Sequence, residues 1–304
     1  MQRVLICMTL VTVLAISGGC GGTKTVRKDL GPKPVVKDAT REELIEKYNA
    51  TAQSVKSLNA TVELKPTAGS KYSGLIEEYH EVKAFLLAER PAQVRVIGQA
   101  PLIGKTIFDM TSDSETFRVS IPSKNKFLVG PVALERTSSK PIENLRPQHL
   151  LDALLWPEIQ KKEAVLFEEF NDETARYYVL TVLRGGYQTE ILRKTWFNRA
   201  DLQVARIQTY GPKGVLLSDT RFSDWQPADV STGQTAAAAT PEMFPRAIRI
   251  ERPHDDYILD LQVSKITLNE AIPVGRFKIE QPTGSELVHV GEDEDKQPAK
   301  DAKP

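Results

Sequence analysis

The first regular hydrophobic pattern in the chain has the period of an α-helix. Thr40 and Glu43 have the spacing of a capping box, in which the side chain of each residue satisfies a main-chain amide of the other. The apolar positions that follow recur every three or four residues. They are Leu44, Ile45, Tyr48, Ala52, Val55 and Leu58. This pattern predicts a helix over residues 40–57.

After this helix the hydrophobic period falls to two, the period of β-strands, and polar turns separate the apolar runs. The predicted strands cover residues 60–65, 75–89, 93–98, 105–110, 116–121, 163–170, 176–184, 190–198, 204–211, 215–224, 247–252 and 257–267. A second helix is predicted over residues 146–156, which carry a broad apolar face. That face consists of Leu150, Leu151, Leu154 and Leu155.

The order of these elements predicts a mainly β protein of the α+β class. Consecutive strands joined by short turns form an antiparallel meander, because a parallel sheet needs a crossover between its strands. Twelve predicted strands with two helices favour a strongly curved antiparallel sheet that forms an unclosed barrel. Residues 177–183 are apolar on both faces of their strand, so other elements must pack on both faces of the sheet there. We expect one helix outside the sheet and one that closes its mouth as a lid.

Residues 1–19 have the organisation of a secretory signal peptide. A single positive charge, Arg3, precedes an apolar run that leads through small residues to Cys20. The run is too short to cross a bilayer, since a spanning helix needs about 20 apolar residues. The stretch before Cys20 resembles a bacterial lipobox, although Ser17 stands where lipoboxes usually carry Leu. Acylation of Cys20 is therefore predicted, and an ordinary signal peptide cleaved nearby is the alternative.

Two segments flank the predicted fold, residues 20–39 and residues 283–304. Both are charged, contain Gly and Pro and lack a periodic apolar face, so they cannot bury enough surface to fold. The first is predicted to be a flexible tether and the second a disordered tail. One domain is predicted over residues 40–282.

Composition excludes several classes of protein. The 304 residues include 40 basic and 40 acidic side chains, and this even balance argues against a nucleic-acid-binding protein. Cys7 and Cys20 are the two cysteines, too few for a disulfide framework. A mean hydropathy of −0.31 excludes a polytopic membrane protein. The hydrophobic content of 40% is enough for one substantial core.

The sequence carries few candidates for catalysis. Residues 98–106 resemble a phosphate-binding loop, but five residues rather than four separate the glycines and a strand pattern follows. No G-x-S-x-G hydrolase motif occurs. His254 with Asp255 or Asp256 could form a metal or base cluster, although Pro253 before them favours a turn. We therefore expect no catalytic residues, no metal and no cofactor, and a hydrolase that uses His254 is the least favoured alternative.

The segment Pro101-Leu102-Ile103-Gly104 carries a resemblance to a known family. In the receptor member of the Lol pathway, a strand leads into a Pro-Leu-Gly turn whose leucine projects to the membrane. Leu102 matches that leucine, and Ile103 is an insertion before Gly104, so either side chain could occupy the tip. Over residues 40–282 the chain resembles the outer-membrane lipoprotein carriers and receptors of this pathway (LolA/LolB-like), the receptor more than the soluble carrier.

The leucine-rich helix of residues 146–156 is similar to the lid of this family, and the resemblance implies an apolar cavity beneath it. The side chains implied as walls and lid are Phe85, Val96, Phe108, Phe117, Leu151, Leu154, Leu155, Trp156 and Tyr178. Such a cavity would shield acyl chains, whose exposure to water costs about 0.8 kcal/mol per methylene. The alternative is that these residues pack a solid core between the sheet and the helices.

The resemblance implies a lipid-anchored protein of the bacterial envelope that faces the periplasm and helps to place lipoproteins in the outer membrane. Its partners would be acylated lipoproteins or lipids and, through Cys20, the membrane. It would act as a monomer and bind no nucleic acid. Gly21 follows the cysteine, rather than the Asp that signals inner-membrane retention in some bacteria, which favours the outer membrane. A periplasmic sensor or scaffold is the alternative, since fold alone does not decide function.

Overall fold

The computed structural model describes residues 36–70, 75–78, 80–133, 144, 146–172, 175–186, 189–231 and 242–290. The predicted signal peptide, the acylation site Cys20, most of the predicted tether and residues 291–304 lie outside the described residues. Among the residues described, no helix combines the length and the apolar character needed to cross a membrane.

The first helix, α1 (Arg41–Ser54), begins with the predicted capping box. The Thr40 amide donates to Glu43 Oε2 at 2.7 Å, and the Glu43 amide donates to Thr40 Oγ1 at 3.2 Å. Each side chain thus satisfies an amide that the helix leaves unpaired at its start. The prediction of this helix is confirmed, and its end at Ser54 comes three residues before the predicted one.

The remaining elements are one further α-helix and the strands of a single sheet. The helix is α2 (Pro147–Leu154). The strands are β1 (Ser57–Ser70), β2 (Leu75–Glu78), β3 (Val82–Glu89), β4 (Gln93–Gln99), β5 (Thr106–Ser112), β6 (Thr116–Ile121), β7 (Lys126–Pro131), β8 (Ala164–Asn171), β9 (Arg176–Arg184), β10 (Glu190–Asn198), β11 (Val204–Tyr210), β12 (Leu216–Pro227), β13 (Asp229–Val230), β14 (Met243–Arg252), β15 (Tyr257–Leu268) and β16 (Glu286–His289).

The strands follow one path, β16-β7-β6-β5-β4-β3-β1-β15-β14-β12-β11-β10-β9-β8, with β2 and β13 beside it. All pairings are antiparallel except β13 with β15 and β16 with β7. Among the described strands, β16 and β8 form the two ends of this path and do not pair with each other. The sheet is therefore a curved, unclosed barrel, and the predicted fold class is confirmed.

The cross-strand register separates the two faces of the sheet. Val62 lies opposite Ala84, and Leu86 lies opposite Val96, so these four side chains share a face because directly opposed residues do. We call this the inner face. All four are buried in one hydrophobic cluster that also contains side chains of both helices, including Tyr48. The expectation of one helix outside the sheet is therefore wrong, since both pack on the inner face.

The predicted C-terminal tail begins too early. Residues Glu286–His289 form β16 and pair in parallel with β7. The Glu286 amide donates to the Asn125 carbonyl, and the side-chain amide of Asn125 donates to the Gly284 carbonyl. These two hydrogen bonds hold the segment to the turn before β7. Residues 284–290 therefore belong to the folded domain. A four-residue strand beside a charged segment contains too few alternating apolar and polar residues to be recognised in the sequence.

Candidate functional site

Helix α2 fills the inner face of the sheet. Five of its eight residues are buried: Pro147, Leu150, Leu151, Ala153 and Leu154. The two residues after it, Leu155 and Trp156, are also buried. The indole of Trp156 stacks on Tyr48 of α1 at 5.8 Å between ring centroids and meets Phe222 of β12 edge-on at 5.4 Å. The interior of the curved sheet is thus occupied by apolar side chains of this helix.

Most of the residues predicted to line an acyl cavity lie in this packed interior. Val96, Leu151, Leu154, Leu155, Trp156 and Tyr178 belong to the same buried hydrophobic cluster. In this conformation they contact one another as a core.

Two predicted cavity residues, Phe108 and Phe117, lie over glycines of the neighbouring strands. A Cβ added to Gly98 would come within 2.4 Å of the Phe108 ring, and one added to Gly130 within 2.8 Å of the Phe117 ring. Both positions therefore require glycine, because any side chain would displace the aromatic ring. Phe117 is buried, with the Arg146 guanidinium 5.7 Å from its ring centre, and Phe108 is half-buried against the core.

The placement of Phe85 as a cavity wall is wrong. It lies opposite Thr61 and Ile97 on the outer face, where it is 37% exposed beneath the ammonium group of Lys83. Its neighbour Leu87 is buried on that same face. Because β3 carries apolar residues on both faces, its sequence does not indicate which set faces inward.

Arg90, at the end of β3, joins the ends of both helices. Its guanidinium donates to the carbonyl oxygens of Ala52 (2.8 Å), Val55 (3.0 Å), Leu155 (3.2 Å) and Trp156 (3.0 Å). Carbonyls at helix C-termini lack helical partners, and a cation there also complements the helix dipole. We call this group the Arg90 clasp. The sequence offered no sign of it, since an arginine at a strand end is usually a surface residue.

The loop between β4 and β5 presents its apolar side chains to solvent. Leu102 is fully exposed and Ile103 is 74% exposed. Leu102 has a φ of +71°, a left-handed conformation that is uncommon for leucine. The turn is closed by main-chain bonds from Ala100 to Lys105 and from Gly104 to Ala100. Of the two residues predicted as the tip, Leu102 is the more exposed.

The cluster that was weighed as a metal or base site, His254 with Asp255 and Asp256, serves the turn that its sequence favoured. His254 is about half exposed between β14 and β15, as the preceding Pro253 predicted. Asp255 is buried and accepts a hydrogen bond from Arg252 at 2.5 Å, so its carboxylate is occupied by an ion pair. Within the described residues, no three His, Cys, Asp or Glu side chains are grouped closely enough to hold a metal.

A small cavity of about 70 Å³, with polar and apolar walls, lies between α2 and strands β11 and β12. His149 lines it, and its Nδ1 lies 2.5 Å from the hydroxyl of Tyr257. Burial lowers the pKa of His149 well below its usual range, and Arg252 and Arg146 lower it further. The imidazole is therefore neutral, and its Nδ1 shares a hydrogen bond with the Tyr257 hydroxyl. His149 therefore helps to hold α2 on the sheet.

A larger groove, of about 450 Å³, lies on the outer face over β1, β15, β14 and β12. Its walls carry charged side chains, among them Glu63, Lys65, Arg221, Arg249 and Asp260. Charged groups would lose hydration if a hydrocarbon chain covered them. The inner face is therefore the better place for an apolar ligand.

No protein-family model and no curated protein match the chain. Among solved structures it is similar to a DUF1329 family protein from Desulfovibrio piger, with a TM-score of 0.49 and 12% identity over 77% of this chain and 94% of that chain. It is also similar to a LolA superfamily protein from Nitrosomonas europaea (TM-score 0.45, 15% identity, 80% and 99% covered). A third structure is an outer membrane lipoprotein-sorting protein domain from Vibrio parahaemolyticus (TM-score 0.46, 13% identity, 78% and 95% covered).

Proposed function

We propose that this chain is a bacterial envelope protein without enzymatic activity that binds the acyl chains of lipoproteins or lipids between α2 and the inner face of its sheet. The observation that supports this most strongly is the nature of α2. Its buried surface is apolar, and the Arg90 clasp holds its C-terminal end to the sheet. A helix attached in this way can be displaced as a unit, and the surface beneath it suits hydrocarbon.

The energies of displacement and of acyl binding are of similar size. Removing Leu150, Leu151, Leu154, Leu155 and Trp156 from the interior would cost about 8–15 kcal/mol, at about 1.5–3 kcal/mol for each side chain. A chain of roughly sixteen carbons recovers about 12 kcal/mol when it leaves water. One acyl chain can therefore offset the opening, and the balance stays close enough to zero for binding to be reversible.

The apolar loop between β4 and β5 supplies a contact with the bilayer in this proposal. Leu102 and Ile103 gain free energy when they leave water for the lipid interface, and the exposed Lys105 beside them is attracted to anionic headgroups. Burying one leucine contributes about 1.5–3 kcal/mol, too little for a stable anchor. We propose that acyl groups on Cys20 provide the anchor, in the outer membrane, and that the chain acts as a monomer.

The acyl-binding proposal predicts different effects for two partly exposed phenylalanines. A fluorescent long-chain acyl probe is titrated into the Cys20→Ser protein, whose own predicted acyl group is removed. The probe is expected to bind saturably. Phe108→Ala, on the inner face, is expected to weaken binding about tenfold or more, because one apolar contact of 1.5–3 kcal/mol is lost. Phe85→Ala, on the outer face, is the matched control and leaves the affinity unchanged. Absence of saturable binding, or equal weakening by both variants, would overturn the proposal.

The membrane contact is tested separately with vesicles. Leu102→Glu combined with Ile103→Glu is expected to reduce binding of the Cys20→Ser protein to anionic phospholipid vesicles at least tenfold, because two apolar side chains become charged. The free energy of unfolding is unchanged, since both side chains are exposed. The control combines Leu166→Glu with Phe170→Glu, which adds the same charge at two exposed positions of β8. A similar loss in the control would show that charge alone, rather than this loop, decides vesicle binding.

A further inference from the structure

Six buried side-chain atoms lack a hydrogen-bond partner within the part of the chain that the structure describes, and four of them belong to side chains that are less than 10% exposed. These four atoms are Tyr48 Oη, Trp156 Nε1, Arg193 Nε and Thr195 Oγ1. Tyr48 and Thr195 are 0% exposed, Trp156 6% and Arg193 7%. A buried polar group without a partner loses its hydrogen bonds to water and gains none in return. Such groups are rare, and four in one region call for a physical reason.

Three of these side chains, on α1, on β10 and directly after α2, are in contact, and Thr195 lies on the same strand as Arg193. The rings of Tyr48 and Trp156 stack at 5.8 Å, and the Arg193 guanidinium lies 5.6 Å from the centre of the Tyr48 ring. Thr195 is two residues from Arg193 along β10 and therefore projects from the same face. The cluster joins the stacked aromatic rings to this strand, deep in the interior.

The chemistry of these atoms selects an acceptor as their partner. The indole and guanidinium nitrogens only donate, and the hydroxyl of threonine can donate. Burial raises the pKa of Tyr48, so its phenol also remains a donor. Arg193 is balanced by Glu163 at 3.5 Å, so the region does not require an anion. Oxygens with lone pairs and no proton satisfy donors of this kind, and a carbonyl oxygen, with two lone pairs, accepts from two of them.

The segment that follows α2 covers this region. Asn49 of α1 donates to the Ile159 carbonyl at 3.0 Å and accepts from the Ile159 amide at 2.8 Å. Arg193 donates to the Glu158 carbonyl at 2.8 Å. Residues 157–163 are thus held over the donors, at the C-terminal end of α2. A polar group bound there would lie beside the apolar side chains of the interior, with space for its hydrocarbon only where α2 now packs.

We propose that Tyr48, Trp156, Arg193 and Thr195 hold the two oxygens at the ester or carboxylate end of a bound acyl group, from which the hydrocarbon runs beneath α2. The hydroxyls of Tyr48 and Thr195 donate to the carbonyl oxygen, and the indole and guanidinium nitrogens face the second oxygen. This inference rests on the proposed function and adds the orientation of the ligand. The acyl carbonyl lies under residues 157–163, and the end of the chain points towards the start of α2. The protein thereby distinguishes acyl chains from hydrocarbon that has no carbonyl.

Two lipids that differ only in the carbonyl test this proposal. The Cys20→Ser protein is titrated with 1-palmitoylglycerol, an ester, and with 1-hexadecylglycerol, the ether that lacks the carbonyl. The ester is expected to bind about tenfold more tightly. Tyr48→Phe and Thr195→Val are expected to abolish this preference and leave the ether affinity unchanged. Tyr210→Phe, whose hydroxyl donates to Gln208 outside this cluster, is the control and keeps the preference. A palmitate titration then distinguishes a carboxylate from an ester as the better ligand.

The outcomes separate this inference from the proposed function. Equal affinity of the unsubstituted site for ester and ether would overturn the carbonyl site but leave acyl binding intact. Failure of both lipids to bind would overturn the proposed function itself. Urea unfolding of the lipid-free variants supplies a second measurement. Tyr48→Phe and Thr195→Val are expected to raise the midpoint slightly, because each removes a buried group without a partner. A lowered midpoint in both variants would show that these hydroxyls are already satisfied and would overturn the proposal.

Discussion

Replacing Arg90 with leucine is expected to lower the free energy of unfolding by about 3–5 kcal/mol, measured by urea denaturation. The Arg90 clasp donates to four main-chain carbonyls at the ends of both helices. Hydrogen bonds to a charged group contribute about 1.5–3 kcal/mol each, and Arg90 is only partly buried, so the sum is reduced. Hydrogen exchange at the amides of Leu154 and Leu155 is expected to accelerate more than exchange in the central strands.

Two further substitutions test whether the loss of stability in Arg90→Leu comes from the hydrogen bonds of the Arg90 clasp. Arg249→Leu removes an arginine that pairs with Asp260 on the outer face, where both side chains are about 40% exposed. Such an ion pair contributes about 0–1 kcal/mol. Arg90→Lys keeps the charge but lacks the planar group that reaches several carbonyls, so it recovers part of the stability. If Arg90→Leu and Arg249→Leu destabilised the protein equally, the clasp would not be what holds the helices.

Trp156→Ala is the second substitution with a large expected effect, a loss of about 3–5 kcal/mol in the free energy of unfolding. Its indole packs between Tyr48 and Phe222 and thereby joins α1 to the sheet. Truncation leaves a cavity between elements that are far apart in the chain. Trp225→Ala is the control, because Trp225 is only partly buried and packs at the margin of the same cluster. A smaller loss is expected for it in the same urea experiment, and a loss equal to that of Trp156→Ala would contradict the central position of Trp156.

Local patterns predicted much of the secondary structure. The capping box of Thr40 and Glu43 marked the start of α1, because both of its hydrogen bonds join residues three apart. The run of apolar residues in β9 predicted a strand covered on both faces, and Val179, Leu180 and Thr181 are all buried. In each case the signal and the structure it specifies lie within one turn of helix or one strand.

The missed strands show where local information is too weak. The single strand predicted over residues 75–89 is two strands in the structure, β2 and β3. Three further strands, β7, β13 and β16, were not predicted at all. Strands β13 and β16 have two and four residues and are ordered by parallel pairing with β15 and β7. Such short segments carry almost no alternation of their own. Their conformation depends on a partner strand elsewhere in the chain.

The face to which Phe85 belongs could not be predicted for a related reason. Phe85, Leu86 and Leu87 are consecutive apolar residues, and alternation places the first and third on one face and the second on the other. Either assignment buries apolar surface. The choice is made by the register with β1 and β4, which puts Leu86 beneath the helices and Phe85 beneath Lys83.

The amino-acid sequence alone determined the mainly β class, the antiparallel pairing of most neighbouring strands, the two helices and the apolar loop at Leu102, because period, capping and turn residues act over a few neighbouring positions. Only the tertiary structure decided that α2 fills the interior and that Arg90 joins two helix ends. It alone brought together Tyr48, Trp156 and Arg193, each of which carries a buried polar atom without a hydrogen-bond partner among the described residues. Hydrophobic period specifies which side of an element is buried, but not which element covers it, since that depends on contacts between residues far apart in the chain.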